Sequence, residues 1–116
     1  REMEFSCKET SDVMIVRVVA PRIDAAAAIS FKENLREITG KSGTSHVVLD
    51  LGEVDFIDSS GLGAIVSVMK LMGGNKRLDL AALTPTVEKV FRLTRMDSIF
   101  SIYEHPDDVE KIYQAG

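Results

Sequence analysis

The chain has 116 residues and a formal net charge of -4 at pH 7; 45% of its residues are hydrophobic and 28% are charged. This length and composition are typical of one folded domain and exclude a disordered or fibrous chain. The basic residues are scattered among acidic ones instead of forming a stripe, which argues against direct nucleic-acid binding. No apolar run approaches the roughly 20 residues that span a bilayer, so we expect no membrane insertion and a cytoplasmic location.

Residues that bind metals or cofactors are scarce in this sequence. Cys7 is the only cysteine, and His46 and His105 are the only histidines. A lone cysteine cannot form an intrachain disulfide, and we expect its thiol to be buried and unreactive. One cysteine and two separated histidines are too few ligands for a zinc site, and there is no Walker-type phosphate loop. The sequence therefore predicts neither a metal nor a cofactor.

A β-hairpin is predicted at the start of the chain. Residues 3–9 and 13–19 are rich in strand-forming residues, and the polar residues 10–12 separate them. Pro21 ends the second strand. We expect the two strands to pair as an antiparallel edge of a larger sheet.

A first amphipathic helix is predicted over residues 25–39. Its apolar residues recur at spacings of 3, 4 and 3, which places them on one helical face. Asp24 is suited to be its N-cap, and Gly40, which can adopt positive φ, is suited to be its C-cap.

The remainder of the chain alternates strands and helices. We predict a central strand at residues 46–51, a short strand at 54–57, a helix ending at Gly73-Gly74, a strand at 77–83, a helix led by Thr84-Pro85, a strand at 98–103 and a helix at 106–114. Alternation after a hairpin indicates a single α/β domain over residues 1–116, in which the later strands are parallel and about four helices pack on the sheet.

The segment Asp58-Ser59-Ser60-Gly61 joins the short strand directly to a helix. The first backbone N–H groups of a helix have no partner within the helix, so one interpretation is that an aspartate or serine here only caps it. Duplicated capping residues and a second glycine at Gly63 are not explained by capping, because glycine is unfavourable inside a helix. Small residues on a first turn let another protein approach the backbone, which indicates a binding surface.

These residues also carry a resemblance to a known family. The segment FIDSSGLGAIVSVMKLMGGNKRLDLAALTPTVEKVFRLTRM is similar to the core of STAS domains of the bacterial anti-sigma factor antagonist type. The similarity includes the Asp-Ser-Ser-Gly-Leu-Gly motif, the Gly-Gly turn, the helix led by Pro85 and the pair Val90-Phe91, and it extends over nearly the whole chain.

The resemblance implies a phosphorylation-controlled switch. Ser59 would be phosphorylated by a partner that is both a serine kinase and an anti-sigma factor, and a separate serine phosphatase would remove the phosphate. The unphosphorylated protein would bind that partner and release a sigma factor. The implied partner-binding residues are Asp24, Asp58, Ser59, Ser60, Gly61, Leu62 and Gly63.

Two features leave alternatives open. The usual small residue and glutamate before the aspartate at position 24 are replaced by Pro21-Arg22, which reverses a charge beside the expected interface. The partner therefore either has a compensating acidic group or is a different protein. The resemblance also fits a STAS scaffold or adaptor, for example one associated with a transporter, that has no phosphorylation cycle.

An enzymatic role is not predicted. Ser59 would need a histidine base, and neither His46 nor His105 has the spacing of a catalytic triad.

Overall fold

A computed structural model describes residues 3–114, so the outermost residues of the predicted domain 1–116 lie outside the described part. The main sheet contains five strands, β1 (Glu4–Glu9), β2 (Val13–Val19), β4 (His46–Asp50), β6 (Arg77–Ala81) and β7 (Ile102–Tyr103). Their order across the sheet is β1-β2-β4-β6-β7. Only the β1–β2 hairpin is antiparallel, and the pairs from β2 to β7 are parallel. The predicted α/β class, N-terminal hairpin and central strand are therefore confirmed.

A second, two-stranded sheet lies beside the main one. It pairs β3 (Arg22–Ile23) with β5 (Phe56–Ile57) in parallel, with Arg22 opposite Phe56 and Ile23 opposite Ile57. The sequence indicated the strand before Asp58 but gave no indication of its partner, because two residues are too few for a periodic pattern.

Four α-helices occur in the described chain. They are α1 (Ala28–Lys41), α2 (Ser59–Leu71), α3 (Pro85–Leu93) and α4 (Asp107–Gln114), and a 3-10 turn occupies Met96–Ser98. No described helix has both the length and the apolar composition needed to cross a membrane.

The hydrophobic core is divided between the two faces of the main sheet. Successive residues of a strand point to opposite faces, so Met14, Val16 and Val18 belong to the larger cluster, which also contains residues of α1, α2 and α3. Val13 and Ile15 belong to a smaller cluster on the other face, where the buried helical residue is Val109 of α4. The first three helices therefore pack on one face and α4 on the other.

The predicted ends of the first helix are wrong. α1 begins at Ala28, three residues later than predicted, and its N-cap is Ala27. Asp24 instead closes a preceding turn, in which its carboxylate and its carbonyl both accept the Ala27 N–H, at 3.2 and 3.0 Å. The helix also continues past Gly40 to Lys41. Lys76 satisfies carbonyls at this end, because its Nζ lies 2.6 Å from the Thr39 oxygen and 3.0 Å from the Ser42 oxygen.

Other predictions also need correction. The strand predicted at 54–57 is reduced to Phe56–Ile57. Cys7 is exposed, not buried, because it lies on the edge strand β1. The strand predicted at 77–83 ends at Ala81. The strand predicted at 98–103 is reduced to Ile102–Tyr103, because the 3-10 turn occupies the residues before it.

Candidate functional site

The Asp58–Gly61 segment is positioned by the small sheet. Asp58 follows β5 directly and is the N-cap of α2, where its Oδ1 accepts the Gly61 N–H at 2.9 Å. Its Oδ2 accepts the Ala25 N–H at 3.0 Å. One carboxylate therefore caps α2 and also ties it to the turn that precedes α1.

These hydrogen bonds determine the ionisation of Asp58. The Gly61 N–H, followed by the Ala25 N–H, lowers the pKa of the Asp58 carboxyl, and desolvation opposes the shift. Backbone donors favour the charged form of a carboxylate, as does the positive end of a helix dipole. Asp58 is therefore a fixed anion at neutral pH.

We predict a pH-dependent effect of Asp58→Asn on stability. The two N–H groups bond to different carboxylate oxygens, and in asparagine one of these positions is an NH2 donor, so one N–H group loses its acceptor and the variant should melt at a lower temperature than the wild type at pH 7. A carboxyl whose pKa is lower in the folded state stabilises above its unfolded pKa of about 3.9 and loses that contribution as the pH falls further. The two melting temperatures, followed by circular dichroism, should converge below about pH 4. A constant difference at all pH values would contradict this account.

The two serines are not used for capping. Ser59 and Ser60 are the first residues of α2, and both are exposed. Asp58 has taken the capping role, and neither serine hydroxyl bonds to another described side chain or backbone group. Both hydroxyls can therefore be reached by a second protein.

The two glycines of the first turn have different environments. A Cβ on Gly61 would lie 2.0 Å from the Ile23 carbonyl oxygen, whereas a Cβ on Gly63 would meet nothing within 4 Å. Gly61 is buried and Gly63 is exposed. The explanation that small residues leave room for a partner therefore applies to Gly63, while Gly61 is small because α2 packs on the backbone of β3. Leu62 is half-buried and packs against the core.

Asp24 and Arg22 form the rim of the site next to Asp58. Arg22 Nε lies 3.2 Å from Asp24 Oδ2, and the Arg22 guanidinium carbon lies 4.0 Å above the centre of the Phe56 ring. The Pro21 carbonyl accepts the Asp55 N–H at 2.8 Å. Stacking and the ion pair orient Arg22, and its terminal nitrogens remain able to donate to an acceptor outside the described chain.

A shallow groove continues from the site between α1 and α2. It has a volume of about 500 Å³, and its floor on α2 is formed by small residues that include Ser60 and Gly63. On the α1 side it is bounded by Ile29 and Lys32, and the Ile29 side chain is 72% exposed. The sequence analysis did not identify Ile29 as part of the site. An isoleucine away from the apolar face of a helix does indicate an exposed hydrophobic side chain.

The histidines do not approach this site. His46 bonds to Asp79 and Tyr113, and His105 lies before α4. Within residues 3–114 there is no cluster of three metal-ligating side chains.

Comparison with known proteins yields one family. The sequence model of the STAS domain matches residues 4–109. An anti-sigma-B factor antagonist of Listeria monocytogenes is 35% identical over 101 residues, which cover 86% of this chain and 86% of that protein.

Solved structures share the fold. An anti-sigma factor antagonist from Mycobacterium paratuberculosis superposes with a TM-score of 0.82 at 22% identity, covering 96% of this chain and 93% of that one. The murine anion transporter Slc26a9 superposes with a TM-score of 0.79 at 19% identity, covering 94% of this chain and 19% of the transporter. At these sequence identities, the superpositions show a shared fold and nothing about function.

Proposed function

The chain belongs to the STAS domain family, and we propose that it acts as an anti-sigma factor antagonist whose partner binding is switched by phosphorylation of Ser59. When unphosphorylated, it binds an anti-sigma factor with serine kinase activity and thereby releases a sigma factor. A serine phosphatase restores this state. It acts in the cytoplasm with these partners and has no catalytic activity of its own.

The main support for the proposal is that Asp58, and not Ser59, caps α2. Asp58 caps α2, so the exposed Ser59 hydroxyl is available for modification without loss of a structural hydrogen bond. A phosphate attached there would meet the positive end of the α2 dipole, which the fold tolerates.

The proposed partner surface is formed by Asp24, Asp58, Ser59, Ser60, Leu62 and Gly63. Gly61 supports it from below by letting α2 approach β3. Arg22 adds a positive group at the rim, and its planar guanidinium is suited to bind a carboxylate with two hydrogen bonds. This favours the first of the two alternatives for Pro21-Arg22, a partner with an acidic group facing this rim.

A STAS scaffold without a phosphorylation cycle is the competing function, and the fold shared with Slc26a9 does not separate the two. The exposed Ser59 hydroxyl and the 35% identity to an anti-sigma-B factor antagonist favour the switch.

We expect Ser59→Ala to abolish phosphorylation and to preserve partner binding. The experiment is intact-mass measurement of the wild type, Ser59→Ala and Ser60→Ala, each purified from the native host with its bound proteins. The wild type and Ser60→Ala should show a phosphate mass, and a kinase-like protein should co-purify with Ser59→Ala and with the unphosphorylated fraction of the other two.

Each result has a distinct meaning. A phosphate on Ser59→Ala that is absent from Ser60→Ala would move the modified residue by one position. No phosphate on any of the three, with a stable non-kinase partner, would favour the scaffold.

A further inference from the structure

The face of the main sheet opposite α1, α2 and α3 is covered by α4. Val109 is the one α4 side chain that is fully buried, whereas Ile112 and Tyr113 remain 55% and 41% exposed. Beneath the helix lies an apolar cluster formed by Val13, Ile15, Val48 and Ala81. α4 therefore protects a buried apolar surface while contributing little apolar surface of its own.

Two polar contacts hold the rest of α4. Lys8 Nζ lies 3.1 Å from Glu110 Oε1, where the Lys8 side chain is exposed and the Glu110 side chain is largely buried. The second contact joins the Tyr113 hydroxyl to Nδ1 of the buried His46, at 2.6 Å. Nε2 of His46 lies 2.6 Å from Asp79 Oδ2, and the carboxylate accepts the Nε2 proton. In the neutral ring Nδ1 is then an acceptor, and the Tyr113 hydroxyl donates to it.

The surface beneath α4 also contains buried polar groups. His46 and Asp79 are 5% and 2% exposed, and Arg77 Nε lies 3.0 Å from the Asp79 carboxylate. Burial, and next the charge of Asp79, raise the pKa of the Tyr103 hydroxyl. These groups would regain water if α4 moved away, which offsets part of the cost of exposing the apolar cluster.

We propose that α4 is a hinged cover, which undocks from the sheet while the rest of the domain stays folded, and that the Tyr113–His46 hydrogen bond controls its opening. An eight-residue helix is not stable alone in water, so α4 is ordered only while it is docked. Few contacts hold it, and segments of this kind open with a lower free energy than the whole domain.

Opening would expose the apolar cluster of Val13, Ile15, Val48 and Ala81 to solvent. This surface lies on the opposite face of the main sheet from α2. Opening of α4 requires neither phosphorylation of Ser59 nor an anti-sigma factor.

Hydrogen–deuterium exchange of the wild type, Tyr113→Phe and Ile112→Ala tests the proposal. Tyr113→Phe removes only the hydroxyl that bonds to His46, and Ile112→Ala removes an exposed side chain from the same helix as a matched control. In the wild type, the amides of residues 111–114 should exchange faster than those of β4. Tyr113→Phe should accelerate exchange in α4 a further tenfold or so and leave β4 unchanged. Ile112→Ala should leave both rates close to those of the wild type.

Three results would overturn the proposal. The first is equal exchange rates for α4 and β4 in the wild type, which would mean that α4 opens only with the whole domain. The second is equal acceleration of both elements in Tyr113→Phe, or its failure to fold. The third is an unchanged α4 rate in Tyr113→Phe, which would show that the hydrogen bond does not control opening.

Discussion

Gly61→Ala should lower the free energy of unfolding by about 3 kcal/mol, at the upper end of the usual cost of overpacking a rigid interior. The added Cβ would lie 2.0 Å from the Ile23 carbonyl oxygen and 2.9 Å from the Ile23 carbonyl carbon. Both are backbone atoms, so no side-chain rotation can relieve the contact. Either α2 or β3 must move.

Movement of α2 would also break the contacts of the candidate site. The Asp58 carboxylate accepts the Gly61 N–H in α2 and the Ala25 N–H before α1. If α2 moves relative to the turn before α1, the carboxylate cannot keep both hydrogen bonds. Urea denaturation at pH 7 measures the loss of stability. Partner binding of Gly61→Ala should also weaken in the fraction that remains folded, because Ser59 is displaced with the first turn.

Gly63→Ala is the matched control, two residues along the same helix. Gly63 is exposed and lies inside α2, and a Cβ added to it would have no neighbouring atom within 4 Å. Alanine has the higher helix propensity, so this variant should gain about 0.5–1 kcal/mol. If both variants were destabilised equally, the loss in Gly61→Ala would reflect glycine removal in general and not the contact with Ile23.

The parts of the fold that follow from local patterns were predictable from the sequence. The β1–β2 hairpin has strand-forming residues on both sides of a polar turn, and α3 has Thr84 and Pro85 at its start. The role of Asp58 as the N-cap of α2 was also predictable, because an aspartate directly before a helical pattern indicates an N-cap. These features depend on neighbouring residues alone.

The predictions that were wrong or incomplete concern positions where the decisive contact comes from a residue distant in the sequence. Gly40 is not needed as a C-cap because Lys76, which is 37 positions from Thr39 in the sequence, binds the carbonyls at the end of α1. The pairing of β3 with β5 and the close approach of Ile23 to Gly61 likewise join separate segments. Asp24 resembles an N-cap locally, but it closes a turn and pairs with Arg22 instead.

Phosphoserine at position 59 should leave the fold intact. Ser59 is exposed at the start of α2, where a phosphate of about -1.5 to -2 charges meets the positive end of the helix dipole. Protein carrying genetically encoded phosphoserine at this position should have the circular dichroism spectrum and cooperative melting of the wild type, and Ser59→Asp should behave in the same way. Global unfolding of either protein would contradict a switch that acts on affinity.

The same phosphate should weaken binding to the anti-sigma partner at least a hundredfold. A partner that covers the Ser59 hydroxyl would have to bury a strongly hydrated anion next to the Asp58 carboxylate, whose pKa the Gly61 N–H keeps low. Every 1.4 kcal/mol or so of that penalty reduces affinity tenfold, so about 3 kcal/mol is sufficient.

Calorimetric titration of the partner measures the change in affinity, and Ser11→Asp, which adds a charge to the exposed β1–β2 turn, is the control. Because the cost arises from burying the phosphate and not from refolding, the control should bind like the wild type, and equal binding by the phosphoserine protein would refute the mechanism.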